Sequence, residues 1–255
     1  MGCMTADLGG RTVLVTGGSR GIGRAIALEF ADRGSDVILT YWRRRSAARE
    51  VVTEIERKGR RALALRVDVG ESDQLKRLFG EVADQWGGLD FYVNNAASAI
   101  MKPLFALETP HWRYTLDTNV TAALFGCRAA YELMPGGRGA IVLLSSMGGR
   151  RYLPSYGGLG VCKAAIESMG RYLAVELAPG VNVNTVCGGL IETESVRALA
   201  GAQGWMQQVA ETAPMRRIGR PEDLAKVVAF LCTDDASWIR GQTIVVDGGA
   251  SLTSG

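Results

Sequence analysis

One tyrosine and one lysine, Tyr156 and Lys163, share the stretch Pro154-Ser155-Tyr156-Gly157-Gly158-Leu159-Gly160-Val161-Cys162-Lys163, with six residues between them. A phenol can give a proton, or a strong hydrogen bond, to an oxyanion as it forms. A lysine further along the same helix can hold a cofactor hydroxyl and lower the pKa of that phenol. Seven residues at about 100° each turn through roughly 700°, so both side chains project to nearly the same side. The plain alternative is a surface lysine after a glycine-rich helix start. The surrounding elements have to decide between the two.

Those elements alternate regularly. Residues 12–16 read as a short buried strand, and Gly17-Gly18-Ser19-Arg20-Gly21-Ile22-Gly23 then turns into a helix reaching about Gly34. Strand, glycine turn and helix in that order make a phosphate cradle. Glycine lets the backbone approach a pyrophosphate, and the helix N-terminus favours its negative charge. The second strand, 36–41, runs into Trp42-Arg43-Arg44-Arg45. An NAD site would want an acid there for the ribose 2′-hydroxyl. Three guanidinium groups stand there instead, with Arg20 as a fourth charge, and they suit a 2′-phosphate. NADPH is therefore expected over NADH, against the plainer reading of a solvated basic helix start.

Further strands are expected over 61–67, 89–93, 139–145, 181–186 and 242–246. Helices are expected over 46–59, 72–86, 109–134, from the Tyr–Lys stretch to 177, and over 221–232. The pattern predicts an α/β fold, a doubly wound parallel sheet of seven strands with helices on both faces. Ligands bind such a sheet at the carboxyl ends of its strands, where Gly17, Asp68, Asn94, Ser145 and Gly188 all fall. Asp68 would accept a bond from an adenine amino group, or else cap the next helix. Asn119, inside the long helix, competes with the backbone for hydrogen bonds. It holds a water or the lysine, or it is a plain helix-face amide. His111, the only histidine, reads as packing or capping. Residues 194–218, with Trp205 and Met206, read as a substrate lid, with a surface helical excursion as the alternative.

The chain has 255 residues, 47% of them hydrophobic, which is enough for one large core. The continuous alternation places residues 11–255 in a single domain and leaves 1–10 as a flexible arm. A net charge of +3 is too mild to argue for a nucleic-acid partner. Five scattered cysteines, with no CxxC pair, read as reduced thiols in a cytoplasmic protein without a structural metal. No apolar run reaches membrane-spanning length, and no signal-peptide core opens the chain.

Taken together, Thr16-Gly17-x3-Gly21-x-Gly23, Asp68, Asn94-Asn95-Ala96, Asn119, Ser145-Ser146 and the Tyr–Lys helix resemble the short-chain dehydrogenase/reductases over residues 10–250. The resemblance implies a Rossmann-type reductase and a homotetramer. It also implies further cofactor contacts at Val69, Asn95, Ala96, Gly188, Ile191 and Thr193. Most of that family carry Tyr-x3-Lys, but Leu159 stands at that tyrosine's place here. Tyr156 gives Tyr-x6-Lys instead, a spacing similar to the NADPH-dependent type III enoyl-acyl-carrier-protein reductases. Cys187-Gly188-Gly189 resembles the same branch. A geometric reason supports the longer spacing. Hydride delivered to the β-carbon of an enoyl thioester builds charge on a more distant oxygen than ketone reduction does. Moving the phenol nearly one helical turn reaches that oxygen while Lys163 stays on the ribose.

What the resemblance implies is an NADPH-dependent reduction of a trans-2-enoyl thioester on an acidic acyl carrier protein or coenzyme A. Tyr156 would stabilise the enolate, Ser145 or Ser146 would orient the thioester, and Asn119 would support Lys163 through water. Lys102, Arg150, Arg151, Arg216, Arg217 and Arg220 are charges that a carrier could meet. The alternatives are a ketone or 3-oxoacyl reductase of the same family and a non-catalytic NADPH-binding protein.

Overall fold

The computed structural model describes residues 8–197 and 202–253. Seven strands form one all-parallel sheet: β1 (Thr12–Val15), β2 (Asp36–Tyr41), β3 (Ala62–Arg66), β4 (Phe91–Asn94), β5 (Gly139–Ser146), β6 (Val181–Gly188) and β7 (Thr243–Val246). Their order is β3-β2-β1-β4-β5-β6-β7. The chain starts at the centre, builds one half, then crosses over β1 to build the other. That reversal lies between β1 and β4, which pair through Val13–Phe91 and Val15–Val93. A crevice opens at such a reversal, because the helices after the two strands leave toward opposite faces.

Period-two alternation explains how each strand serves two cores. Val13 and Val15 enter one cluster with α1 (Gly21–Asp32), α2 (Arg45–Arg57) and α9 (Pro221–Phe230). Leu14 enters the other, with α3 (Ser72–Trp86), α5 (Ala122–Glu132) and α6 (Gly157–Glu176). Val13, Leu14 and Val15 are fully buried, which stabilises the fold by roughly 1.5–3 kcal/mol apiece. Helix α3 matches its expected span end to end, and Gly87 stops it with a φ of 72°.

Three expectations change. The arm expected over 1–10 is already fastened at Leu8, which is 4% exposed in the first core and donates its N–H to Arg33 O. Residues 1–7 lie outside the described residues. The helix expected over 109–134 is three pieces: α4 (Thr109–Leu116), a π-helical turn (Asp117–Thr121) and α5. The irregular 194–218 segment contains two helices, α7 (Glu194–Arg197) and α8 (Ala202–Thr212), with 198–201 outside the described residues. A short helix α10 (Ala250–Thr253) follows β7. Among the described residues no helix is long and apolar enough to cross a membrane.

Candidate active site

The glycine turn leaves no room for side chains. A Cβ on Gly23 would lie 2.2 Å from Gly17 O and 2.5 Å from Asn95 Nδ2. Gly17 adopts a φ of +67°, and its Cβ would press on Ala96. Thr40 fixes the turn by accepting the Gly17 N–H at 3.0 Å. Arg20, at the N-cap of α1, supplies no side-chain cap. The first-turn N–H groups of α1 are thus left to meet an anion. Ser19 is buried beneath the turn, and Ile22 packs against the first core.

Asn95 and Ala96 build the wall of this cradle. The Asn95 amide donates to Thr16 O at 2.8 Å and Gly17 O at 3.2 Å, and the N–H of Ala96 donates to Thr16 Oγ1. The Asn95 nitrogen is therefore committed to the protein. From the far side of the sheet, Gly188 ends β6, and Ile191 bridges to Gly219. The methyl of Thr193 lies 3.3 Å from where a Cβ of Gly21 would be. The segment after β6 thus folds back onto the glycine turn.

At the end of β2, Arg43 is exposed and Arg44 holds the N-cap position of α2. The Glu194 carboxylate reaches this place from the start of α7. It accepts from Arg44 Nη1 at 2.7 Å and lies 3.9 Å from Arg20 Nη1. Asp68 does not cap α3, whose N-cap is Glu71; it closes a turn by accepting the Gly70 N–H at 3.1 Å, beside a buried Val69.

Tyr156 is the N-cap residue of α6, and Lys163 lies two turns inside that helix. Ser155 precedes it with a φ of +60°, a strained conformation of the kind that collects at functional sites. The phenol ring lies on Gly148, where an added Cβ would be 2.4 Å from two ring carbons. Gly148 belongs to the 3-10 turn Met147–Gly149, which follows β5 directly. The same turn rests on α6: a Cβ on Gly160 would meet Gly148 O at 2.5 Å, and one on Gly149 would meet Ala164 N at 2.9 Å.

Burial pushes the Tyr156 phenol above its ordinary pKa, and a hydrogen bond from Ser146 partly opposes this. The opposing group is Ser146, where the sequence had suggested Lys163. A phenol held protonated in this way is a donor. Lys163 is 5% exposed, and its Nζ donates to Leu144 O at 2.8 Å. Burial pulls its pKa down to about 8, against the smaller upward effect of Cys162 and Cys187.

The two serines separate. Ser146 meets the phenol, while Ser145 turns away and donates to Glu167 Oε1 at 2.8 Å. Glu167 is 8% exposed and is also gripped by Arg150 Nε at 2.9 and 3.1 Å. This pair, buried at its Glu167 end, ties the residue that closes the 3-10 turn to α6, and the sequence reading missed it. The available signal was an acid four residues beyond Lys163, on the same helical face. Asn119 sits in the π turn, where its amide donates to Ser98 O at 2.6 Å and Thr115 O at 2.8 Å. The second bond competes with the helical ladder, which widens there. Asn119 Oδ1 is buried with no partner among the described residues. His111 accepts the Glu108 N–H at 3.3 Å and so caps α4. Of the six cations that could meet a carrier, Arg150 is committed to Glu167 and Arg217 to Asp223.

A cradle without room for Cβ atoms, an uncapped helix start and two arginines already holding a carboxylate fit the phosphates of a dinucleotide. A buried lysine and a protonated phenol stand on the same sheet edge. Fold and site together define a nucleotide-dependent oxidoreductase. A family model described as enoyl-(acyl carrier protein) reductase matches residues 17–251, and the chain belongs to that family, within the short-chain dehydrogenase/reductases. The chain is 43% identical over 244 residues to a 1-cyclohexenylcarbonyl-CoA reductase of Streptomyces collinus, covering 94% of this chain and 87% of that one. It is 36% identical to the 3-oxoacyl-(acyl-carrier-protein) reductase FabG of Staphylococcus epidermidis, covering 94% and 98%. A short-chain dehydrogenase structure from Burkholderia cenocepacia, in complex with NADP, superposes with a TM-score of 0.88 at 34% identity, covering 96% and 99%.

Proposed function

We propose that this reductase uses NADPH to reduce the carbon–carbon double bond of a 2-enoyl thioester. One observation carries the reading: the phenol at the site is Tyr156, seated on Gly148 at the N-cap of α6, while Leu159 stands at the Tyr-x3-Lys place. The likeness to a cyclohexenylcarbonyl-CoA reductase supports it. NADPH is supported by Arg43 and Arg44 at the end of β2, by Arg20 of the glycine turn, which shares the Glu194 carboxylate with Arg44, and by the NADP-bound relative.

The bound coenzyme supplies the hydride. Lys163 holds the nicotinamide ribose and keeps the local potential positive. Tyr156 donates a hydrogen bond to the thioester oxygen as the enolate forms, a charge absent from the ground state. Ser146 holds the phenol, and Ser145 acts behind it through Glu167. Asn119 Oδ1 is a buried acceptor for a water that reaches Lys163. Asp68 receives the adenine amino group on its remaining oxygen. Residues 194–218 cover the acyl group. Lys102, Arg151, Arg216 and Arg220 are the cations left for an acidic carrier. The enzyme works as a cytoplasmic homotetramer.

The test offers purified protein a crotonyl or longer enoyl thioester and a panel of ketones, following NADPH loss. Thioester turnover is expected, and Tyr156→Phe should lower it by about 10²- to 10³-fold, the usual cost of one oxyanion donor. Turnover of 3-oxo substrates alone would replace this reading with ketone reduction, which the likeness to FabG favours. Cofactor binding without turnover of either class would leave a binding protein.

A further inference from the structure

Among the described residues, Glu194 is the one acid placed on the arginines assigned to the 2′-phosphate. Its carboxylate lies 2.7 Å from Arg44 Nη1 and 3.9 Å from Arg20 Nη1, although 150 residues separate it from Arg44. The two arginines come from different loops, the glycine turn before α1 and the β2–α2 connection. Glu194 comes from a third, the segment after β6. Neighbouring Thr193 lies against Gly21, so the approach is built by packing as well as by charge. Glu192, the other acid nearby, is spent on Arg197 at 2.6 Å.

We propose that Glu194 is an internal competitor for the 2′-phosphate, and that it makes phosphate recognition release the start of the segment after β6. A carboxylate carries one charge, whereas a phosphate monoester carries about −1.5 to −2 at pH 7 and offers more acceptor oxygens. The phosphate therefore takes the arginines. The freed Glu194 withdraws with α7, because a carboxylate left beside a phosphate is repelled. NADH has no group for this exchange, so Arg44 and Glu194 stay paired when it binds. Glu194 then sets the margin of coenzyme choice, holding back NADPH while leaving NADH untouched, from a position beyond β6 and far from where such selection is usually read in sequence. Coupling of this kind is reciprocal: what phosphate binding does to the segment, the segment does to phosphate binding.

The inference rests on the NADPH assignment above, and the experiment separates the two. Binding of NADPH, NADH, adenosine 2′,5′-bisphosphate and AMP is titrated calorimetrically on the wild type, Glu194→Gln, Arg44→Ala and the double variant. Wild type should prefer NADPH over NADH; equal affinities would remove the cofactor assignment and the competitor with it. Glu194→Gln should tighten NADPH and adenosine 2′,5′-bisphosphate by about three- to tenfold, the scale of exposed ion pairs. NADH and AMP should stay unchanged, and the gain should shrink in the Arg44→Ala background. Hydrogen exchange over 191–197 should speed up with adenosine 2′,5′-bisphosphate and not with AMP. A wild type that prefers NADPH, with Glu194→Gln neutral, weaker for NADPH or equally altered for both coenzymes, would overturn the inference.

Discussion

Lys163 shows how burial converts an ordinary side chain into a titrating one. Its ammonium sits among β5, α6 and two thiols, and its pKa falls from 10.5 to about 8. Activity that needs this charge should therefore fall as pH rises through about 8, read as the alkaline limb of kcat/KM. The stability sign follows from the same numbers. Between pH 8 and 10.5 the unfolded chain binds more protons at this position than the folded one, so Lys163 adds stability as pH rises across that window. Urea unfolding of wild type and Lys163→Met should show the wild type gaining on the variant by up to about 3 kcal/mol from pH 7 to 10.5. A constant difference would mean that the lysine is not desolvated. Tyr156 titrates above its ordinary range, so it adds no limb near neutrality.

At the scale of elements, the site depends on a turn lying flush on a helix. Met147–Gly149 touches α6 at Tyr156, Gly160 and Ala164, and each contact needs a missing Cβ. Gly148→Ala should push the phenol off its seat, lowering kcat at least tenfold while NADPH affinity holds, with about 1–3 kcal/mol lost from overpacking. Gly80→Ala is the control: it is a helical glycine of α3 with nothing within 4 Å of an added Cβ. That change should stabilise by about 0.5–1 kcal/mol and leave kcat alone. Much of this scale was legible. Strand and helix spans followed from periodicity, and the π turn was foreshadowed by Asn119 in a helix interior. The 147–149 turn was not, because no local pattern says which glycine a distant ring will rest upon. The ion pairs of Glu167 and Glu194 were hidden for a related reason. Glu167 sits in a stretch whose periodicity is that of ordinary helix, Glu194 opens the irregular segment after β6, and only the tertiary fold brings Arg150 and Arg44 to them.

The whole molecule leaves apolar surface uncovered on two neighbouring elements. Leu124, Phe125 and Tyr131 of α5 are 40–50% exposed, and Tyr172 and Val175 of α6 reach 69% and 77%. Leu124 and Tyr131 stand seven residues apart and Tyr172 and Val175 three apart, spacings that put each pair on one helical face, and faces of this kind are normally covered by another subunit. Sedimentation should find a species near four times 27.3 kDa. Tyr172→Asp with Val175→Asp should yield smaller assemblies with an unchanged circular-dichroism spectrum, since neither side chain is in the core. A monomer at micromolar concentration in the wild type would remove the tetramer.

The glycine beneath the phenol has a bearing on ancestry. A tyrosine restored at 159 and removed from 156 would leave an aromatic-shaped hollow over Gly148, open to solvent and to the wrong rotamers. Passage between the two spacings therefore asks for coordinated change at three places, 148, 156 and 159. Intermediates altered at 156 alone would carry no hydroxyl, and those altered at 159 alone would carry two that compete. That barrier is a physical reason for the interval between phenol and lysine to hold while the rest of the sequence drifts.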